Sequence, residues 1–187
     1  MKHLNFLVCT AAIAASSACL EPECEEKLEV VDMTAWRLLE PAEDPFSPPD
    51  DAEFCTAEED IRMEPFGSSG PIALDVDTVR GCNWATVEQE TTEDIAAGDE
   101  IQLRVFYFSQ STFPSAEANV AVAFDGEVFW SVQVPIPTSS KLEAPLLKAE
   151  RDVPRGTKVQ FHVGNHGDNS WNLLEVSRTR KVFCAVE

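Results

Sequence analysis

Apolar and polar residues alternate one for one through many short runs of this chain, and no long run keeps a helical period. A period of two belongs to a strand with one buried face. In the run 101–109, Ile101, Leu103, Val105 and Tyr107 share one face, while Gln102, Arg104, Phe106 and Phe108 share the other. Further candidate strands are Leu28 to Val31, Trp36 to Leu39, Ile72 to Val76, Asn83 to Glu90, Asn119 to Phe124 and Glu127 to Val134. Leu142 to Ala149, Lys158 to Val163 and Trp171 to Val176 complete the set. Gly, Pro, Asn and Asp separate them. Asp125-Gly126 is a two-residue hairpin signal, and Ala97-Gly98-Asp99 turns the chain into the run that follows it. About eight to ten short strands at this spacing predict an all-β, antiparallel sandwich.

The N-terminus reads as an export signal. A basic start at Lys2 precedes an apolar run from Leu4 to Ala18, too short to span a bilayer, and the acids Glu21, Glu23, Glu25 and Glu26 follow at once. Its exit, Ser16-Ser17-Ala18-Cys19, resembles the lipobox of bacterial lipoproteins, in which a small residue precedes a lipidated cysteine. That resemblance implies acylation, palmitate included, at Cys19. Ser16 stands where the lipobox usually has Leu, and Ser16 with Ala18 also fits an ordinary signal-peptidase site. The expected layout is a signal peptide over 1–18, a lipidated tether over 19–27 and one β-sandwich domain over 28–187. In lipoprotein families a residue other than Asp after the cysteine implies the outer membrane, and Leu20 stands here.

The six cysteines are Cys9, Cys19, Cys24, Cys55, Cys82 and Cys184. Cys9 leaves with the signal, and lipid on Cys19 leaves four, which pair without a spare thiol. The expected bridges are Cys55–Cys82, across a segment with Gly67, Gly70 and Pro71, and Cys24–Cys184, which joins the domain's two ends. Cys24–Cys55 with Cys82–Cys184 is the rival.

Net charge is −19. Phosphate backbones reward Lys and Arg, so nucleic acid is not an expected partner, nor is docking on anionic lipid. The acids are densest before Asp60, where 40–60 reads as an irregular, solvated loop. They lack the spacing and turn glycine of a calcium loop, and no cofactor is expected.

Several segments together resemble the jelly-roll β-sandwiches of carbohydrate-binding modules and galactose-binding-like domains. They are Asp32 to Trp36; Val87-Glu88-Gln89, then Ile95 to Asp99, then the apolar strand Ile101 to Phe108; and the closing strands Gly156 to Val163 and Trp171 to Val176. The last strand reads Asn172-Leu173-Leu174-Glu175 where the common pattern ends in an acidic–Asn pair. The resemblance implies a jelly-roll fold and a glycan ligand. The whole chain is also similar to lipoproteins of predatory soil bacteria, which implies no activity.

The most unusual stretch runs from His162 to Asn172. His162, Asn165, His166, Asp168, Asn169 and Trp171 are residue types that hydrogen-bond sugar hydroxyls or stack on a pyranose ring, and they form the candidate ligand site. The competing reading is a hairpin turn whose Asn and Asp satisfy backbone groups, with Trp171 in the core. His162 alternates with Phe161 and Val163, so it is expected outside the core or on a concave surface. His162 and His166, with Asp168, lack a fourth zinc ligand, so no metal is expected. Arg104, Phe106 and Phe108, with Phe129, Ser131 and Gln133 beside them, form a second candidate face.

No catalytic motif stands out; Gly67-Ser68-Ser69-Gly70 lacks the strand-turn-helix setting of a nucleophile elbow. The sequence therefore reads as a non-catalytic, envelope-tethered binding module, most plausibly for glycan. A structural or protein-interaction lipoprotein is the alternative, and a metal-dependent or glycoside hydrolase is the third reading. Lipidation predicts that the exported protein partitions into detergent and that Cys19→Ser releases it. A wild-type protein found wholly in the soluble fraction contradicts the anchor.

Overall fold

The computed structural model describes residues 23–112, 114–165 and 168–183. It is an antiparallel β-sandwich of jelly-roll type. In chain order the elements are β1 Glu23–Glu29, β2 Arg37–Leu38, the one-turn α1 Ala57–Asp60, β3 Ile61–Pro65, β4 Ile72–Asp77, β5 Trp84–Glu90 and β6 Glu100–Tyr107. Then come β7 Ala116–Phe124, β8 Glu127–Ile136, β9 Lys141–Glu143, β10 Leu146–Lys148, β11 Lys158–Gly164 and β12 Ser170–Phe183. One sheet has the order β10-β6-β12-β4-β3, with β1 also on β12 and β9 also on β6; the other has the order β2-β5-β11-β7-β8.

The expected alternation builds the core. Ile101, Leu103, Val105 and Tyr107 of β6 point inward with Leu74, Val76, Trp171, Leu173 and Val176 of their sheet. Ala85, Val87, Val159, Phe161, Val163, Val120, Val122 and Phe124 meet them from the other sheet. The β7–β8 hairpin turns on Asp125 (φ 51) and Gly126 (φ 78), the two left-handed residues that a tight hairpin needs and that Asp-Gly supplies.

Residues 23–27 are not a tether. β1 pairs with β12 along its whole length, from Glu23 opposite Phe183 to Glu29 opposite Ser177. The pattern is hard to read because charged residues fill one face of that segment and Glu26 interrupts the other between Cys24 and Leu28. β3 was missed for a related reason: it is an edge strand with exposed Met63 and Glu64. β12 also runs on past Val176 to Phe183, where apolar alternation ends. A register shift lies between Leu173 and Glu175, so the chain carries an extra residue there. The shift turns Glu175 outward and returns Val176 to the core.

Cys55 and Cys82 form the expected disulfide, with Cα atoms 4.9 Å apart, which removes the rival pairing. Cys24 is disulfide-bonded, and Cys184 lies outside the described residues, as do the signal segment, Cys19 and His166. Among the described residues no helix is long and apolar enough to cross a membrane.

Trp171 is fully buried, with its ring 5.1 Å from that of Tyr107. Deleting a buried aromatic removes its transfer free energy and leaves a cavity. Trp171→Ala is expected to cost about 3–5 kcal/mol of unfolding free energy, read from urea melts, with no change in m-value.

Candidate functional site

The segment from His162 to Trp171 does not converge on one cleft. Trp171 faces the core and cannot stack on a ligand. Asn165 Nδ2 donates to Thr78 Oγ1 at 2.7 Å, Thr78 Oγ1 donates to the Asn169 carbonyl at 3.0 Å, and the Asn169 N–H points back to Thr78 Oγ1 at 3.3 Å. These bonds pin the β11–β12 connection to the end of β4. The connection crosses from one sheet to the other and so is not the hairpin that the competing reading expects, although Trp171 is in the core as that reading has it. Asp168 is exposed at the mouth of a polar cavity of about 510 Å³ that Asp51, Glu53, Asn83 and Asn165 also line.

His162 lies on the outer face of the five-stranded sheet, as its phase on β11 requires. It is nevertheless fully buried, because residues 40–54 strap that face. The Phe46 ring stacks on the imidazole at 4.2 Å and 14°, and Trp84 meets it edge-on at 4.4 Å. Asp44 Oδ2 accepts from Trp84 Nε1 and from Thr86 Oγ1, each at 2.8 Å. The single Thr86 hydroxyl proton is thus spent on Asp44. Thr86 must accept from His162 Nδ1, 2.8 Å away, which assigns the neutral ring's proton to Nδ1. Nε2 has no partner. On the far side of the pair, a side chain at Gly164 would meet Trp84 at 3.2 Å.

The seven-stranded sheet keeps its outer face more open. Arg62 Nη2 of β3 donates to Asp75 Oδ2 at 3.0 Å and to Asp77 Oδ2 at 2.6 Å, both on β4. Ser170 of β12 donates to Asp75, and Asn172 Nδ2 donates to Ser170 Oγ at 2.9 Å. The register sets Asn172 between Asp75 and Phe106, so this polar row runs straight into an apolar one. Phe66, Phe106 and Phe108 meet edge to face, at 5.2 Å and 4.9 Å between successive rings, and Phe108 is 51% exposed. Leu142 of β9, opposite Phe106, is also exposed.

At the end of this face Glu175 takes Lys27 Nζ at 2.5 Å and Ser177 Oγ at 2.6 Å, with Arg104 Nη1 at 3.8 Å. Burial raises its carboxyl, but the bonds from Lys27 and Ser177 and the charges of Lys27 and Arg104 bring it below the ordinary value. Burial raises Glu29 nearby, with the Glu175 charge adding to it.

Of the sequence candidates, Arg104, Phe106 and Phe108 do share a face. Phe129, Ser131 and Gln133 do not join them, because β8 is the edge of the other sheet. Arg62, Phe66, Asp75, Asp77 and Ser170 were not singled out. The one signal for them was the alternation of Asp75 and Asp77 with Leu74 and Val76, which places two acids on one outer face.

Burial lowers His162 to about 4, while the Asp44 carboxylate and the Ala85 backbone pull the other way. The unfolded imidazole takes its proton near 6.5 and the folded one near 4. The unfolded state therefore binds more protons between those values, and stability falls as pH drops through that window. The loss is about 3 kcal/mol. His162→Gln should remove it, so that urea midpoints measured from pH 7 to pH 4 decline less steeply in the variant.

No family model matches the chain, and no curated protein matches it. Among solved structures it is similar to TmCBM61 in complex with β-1,4-galactotriose, at 12% identity over 81% of this chain and 91% of that one, with a TM-score of 0.43. The arabinose-bound α-L-arabinofuranosidase MgGH51 matches at 12% identity over 81% of this chain, with a TM-score of 0.48, and this chain spans about a quarter of it, 24%. The K3 adhesin domain of Lys-gingipain from Porphyromonas gingivalis matches at 13% identity over 82% of this chain and 99% of that one, with a TM-score of 0.44. Identities and scores this low transfer neither a site nor a ligand.

Proposed function

We propose that this protein is a non-catalytic, envelope-tethered module that binds glycan across the outer face of its seven-stranded sheet. One observation carries the reading: the half-buried Phe106 and exposed Phe108 beside the hydrogen-bonded row of Arg62, Asp75, Asp77, Ser170 and Asn172. A pyranose has an apolar face of C–H groups and a rim of hydroxyls that both donate and accept. It asks for an aromatic surface next to preset donors and acceptors, which is how small ligands are generally oriented. Arg62 and Arg104 retain part of their side chains in solvent, at 36% and 46% exposure, and so present donors at the two ends of the row. In this reading an acylated Cys19, which stands just before β1, holds the sandwich against the bilayer of the outer membrane.

A protein partner is the second reading, and its observation is β8. That strand ends the five-stranded sheet, exposes Val128 and borders an apolar cleft of about 430 Å³ lined by Phe124, Phe129, Leu147 and Val153.

Glycan arrays and titration with soluble envelope and plant polysaccharides test the first reading. Phe108→Ala should weaken binding about tenfold, a change of about 1.4 kcal/mol, while altering stability by no more than about 0.5 kcal/mol. A wild-type protein that binds no glycan, yet captures one stoichiometric partner lost on Val128→Lys, moves the assignment to the second reading.

A further inference from the structure

The Cys55–Cys82 bridge has a buried carboxylate beside it that the disulfide itself does not use. Both sulfurs and one Asp60 carboxylate oxygen lie within 4.8 Å of one another. Asp60 is 4% exposed. Its Oδ2 is fixed by the Thr56 N–H at 2.7 Å and the Thr56 hydroxyl at 3.1 Å, and its Oδ1 has no hydrogen-bond partner among the described residues. The guanidiniums near the cluster in sequence are engaged elsewhere, Arg62 with Asp75 and Asp77 and Arg80 with the carbonyl and carboxylate of Glu59. A buried carboxylate oxygen without a donor calls for an explanation, and a cation is one of the few groups that satisfies it.

We propose that reduction of Cys55–Cys82 converts this cluster into a zinc(II) site with two thiolates and the Asp60 carboxylate as ligands. Opening the bridge takes two electrons. A dithiol supplies them and becomes a disulfide, or a phosphine supplies them and becomes its oxide with an oxygen from water. Two thiols form, and the metal displaces their two protons to solvent. Zinc sits about 2.3 Å from sulfur and about 2.0–2.2 Å from a carboxylate oxygen, so donors at this spacing close on one ion once the sulfurs are no longer bonded to each other. Thiolates favour zinc over calcium or magnesium, which take oxygen ligands. Three protein ligands leave a fourth position for water.

The backbone is prepared to hold the donors. Cys55 N–H donates to the Trp84 carbonyl at 3.0 Å, Phe54 bridges to Trp84, and Thr56 clamps Asp60. The metal would thus keep the end of the strap joined to the β4–β5 connection, as the disulfide does.

The full chain is reduced with a phosphine without oxygen and titrated with cobalt(II), then with zinc(II). The expected result is one equivalent of cobalt with a thiolate charge-transfer band, displaced by zinc, and neither in oxidised protein. Asp60→Asn should weaken zinc at least tenfold while retaining the band. Reduced Cys55→Ser/Cys82→Ser, whose other cysteines are equally free, should show none. Metal uptake no greater than in oxidised protein overturns the proposal. So does a band that persists in the double variant, or equal affinity in Asp60→Asn, which is also the outcome if the thiols bind metal from an unfolded segment.

Discussion

The pairing of β12 governs the rest of the molecule. Along one edge it bonds β6, and along the other it bonds first β4 and then β1. Three strands therefore take their register from this one. A strand with so many partners has to satisfy two faces over 14 residues, and a strict period of two does not do so here. The extra residue between Leu173 and Glu175 resets the phase. Before it, Ser170 and Asn172 point out of the sandwich while Trp171 and Leu173 point in; after it, Glu175 and Ser177 point out and Val176 points in. Without that step Glu175 would enter the core and Val176 would leave it, and a one-residue slip costs every contact on both faces. The outer polar row and the Lys27–Glu175–Arg104 group exist because of it.

The two outer faces differ because one is covered by the chain itself. The strap from 40 to 54 lays Asp44, Pro45 and Phe46 over β5, β11 and β7, and the groups beneath are paired through it. Asp44 serves Trp84 and Thr86, and Thr86 in turn fixes the tautomer of His162. An imidazole closed off in this way is held neutral by burial, and among the described residues no acceptor meets Nε2. The face of β6, β12 and β4 has no such cover over Phe108 and Leu142, and its polar groups satisfy one another within the sheet. A surface whose donors and acceptors are already ordered loses less entropy on taking up a ligand than one that must be assembled.

Strand phase was legible wherever apolar residues alternate, and with it the sandwich, the Asp125-Gly126 hairpin and the inward and outward sides of β6. β1 was not, because Glu23 to Glu29 carries its stabilisation in backbone pairing and not in an apolar face. Nor was the strap, since Asp and Pro mark irregular chain but do not say what it lies on. Phe46 meets His162 across 116 positions of sequence, and no local pattern carries that contact. The candidate site failed for the same reason. Six polar and aromatic residues close in sequence look close in function, whereas a strand followed by a turn sends alternate side chains to opposite sides. His162 lies beneath the strap, Trp171 lies in the core, and the Asn165 side chain and the Asn169 main chain both engage Thr78. The usable face is assembled from β3, β4, β6, β9 and β12, which only the sheet order brings together.

The charge of −19 bears on which ligands that face tolerates. Its cations are largely committed: Arg62 to Asp75 and Asp77, and Arg104 and Lys27 to Glu175. In these pairs the cations stay partly in solvent while Asp75 and Glu175 are buried, so the attraction largely offsets the acids' desolvation and the fold rests on its core. They do cancel the acids locally. An anionic polysaccharide approaching this sheet still meets the field of the whole chain, the same repulsion that disfavours nucleic acid. A neutral sugar does not. On the proposed face its hydroxyls would bond to carboxylates and guanidiniums alike, and its apolar face would cover Phe108 without adding charge. If the proposed glycan reading holds, the field of the chain thus favours an uncharged ligand over an anionic one.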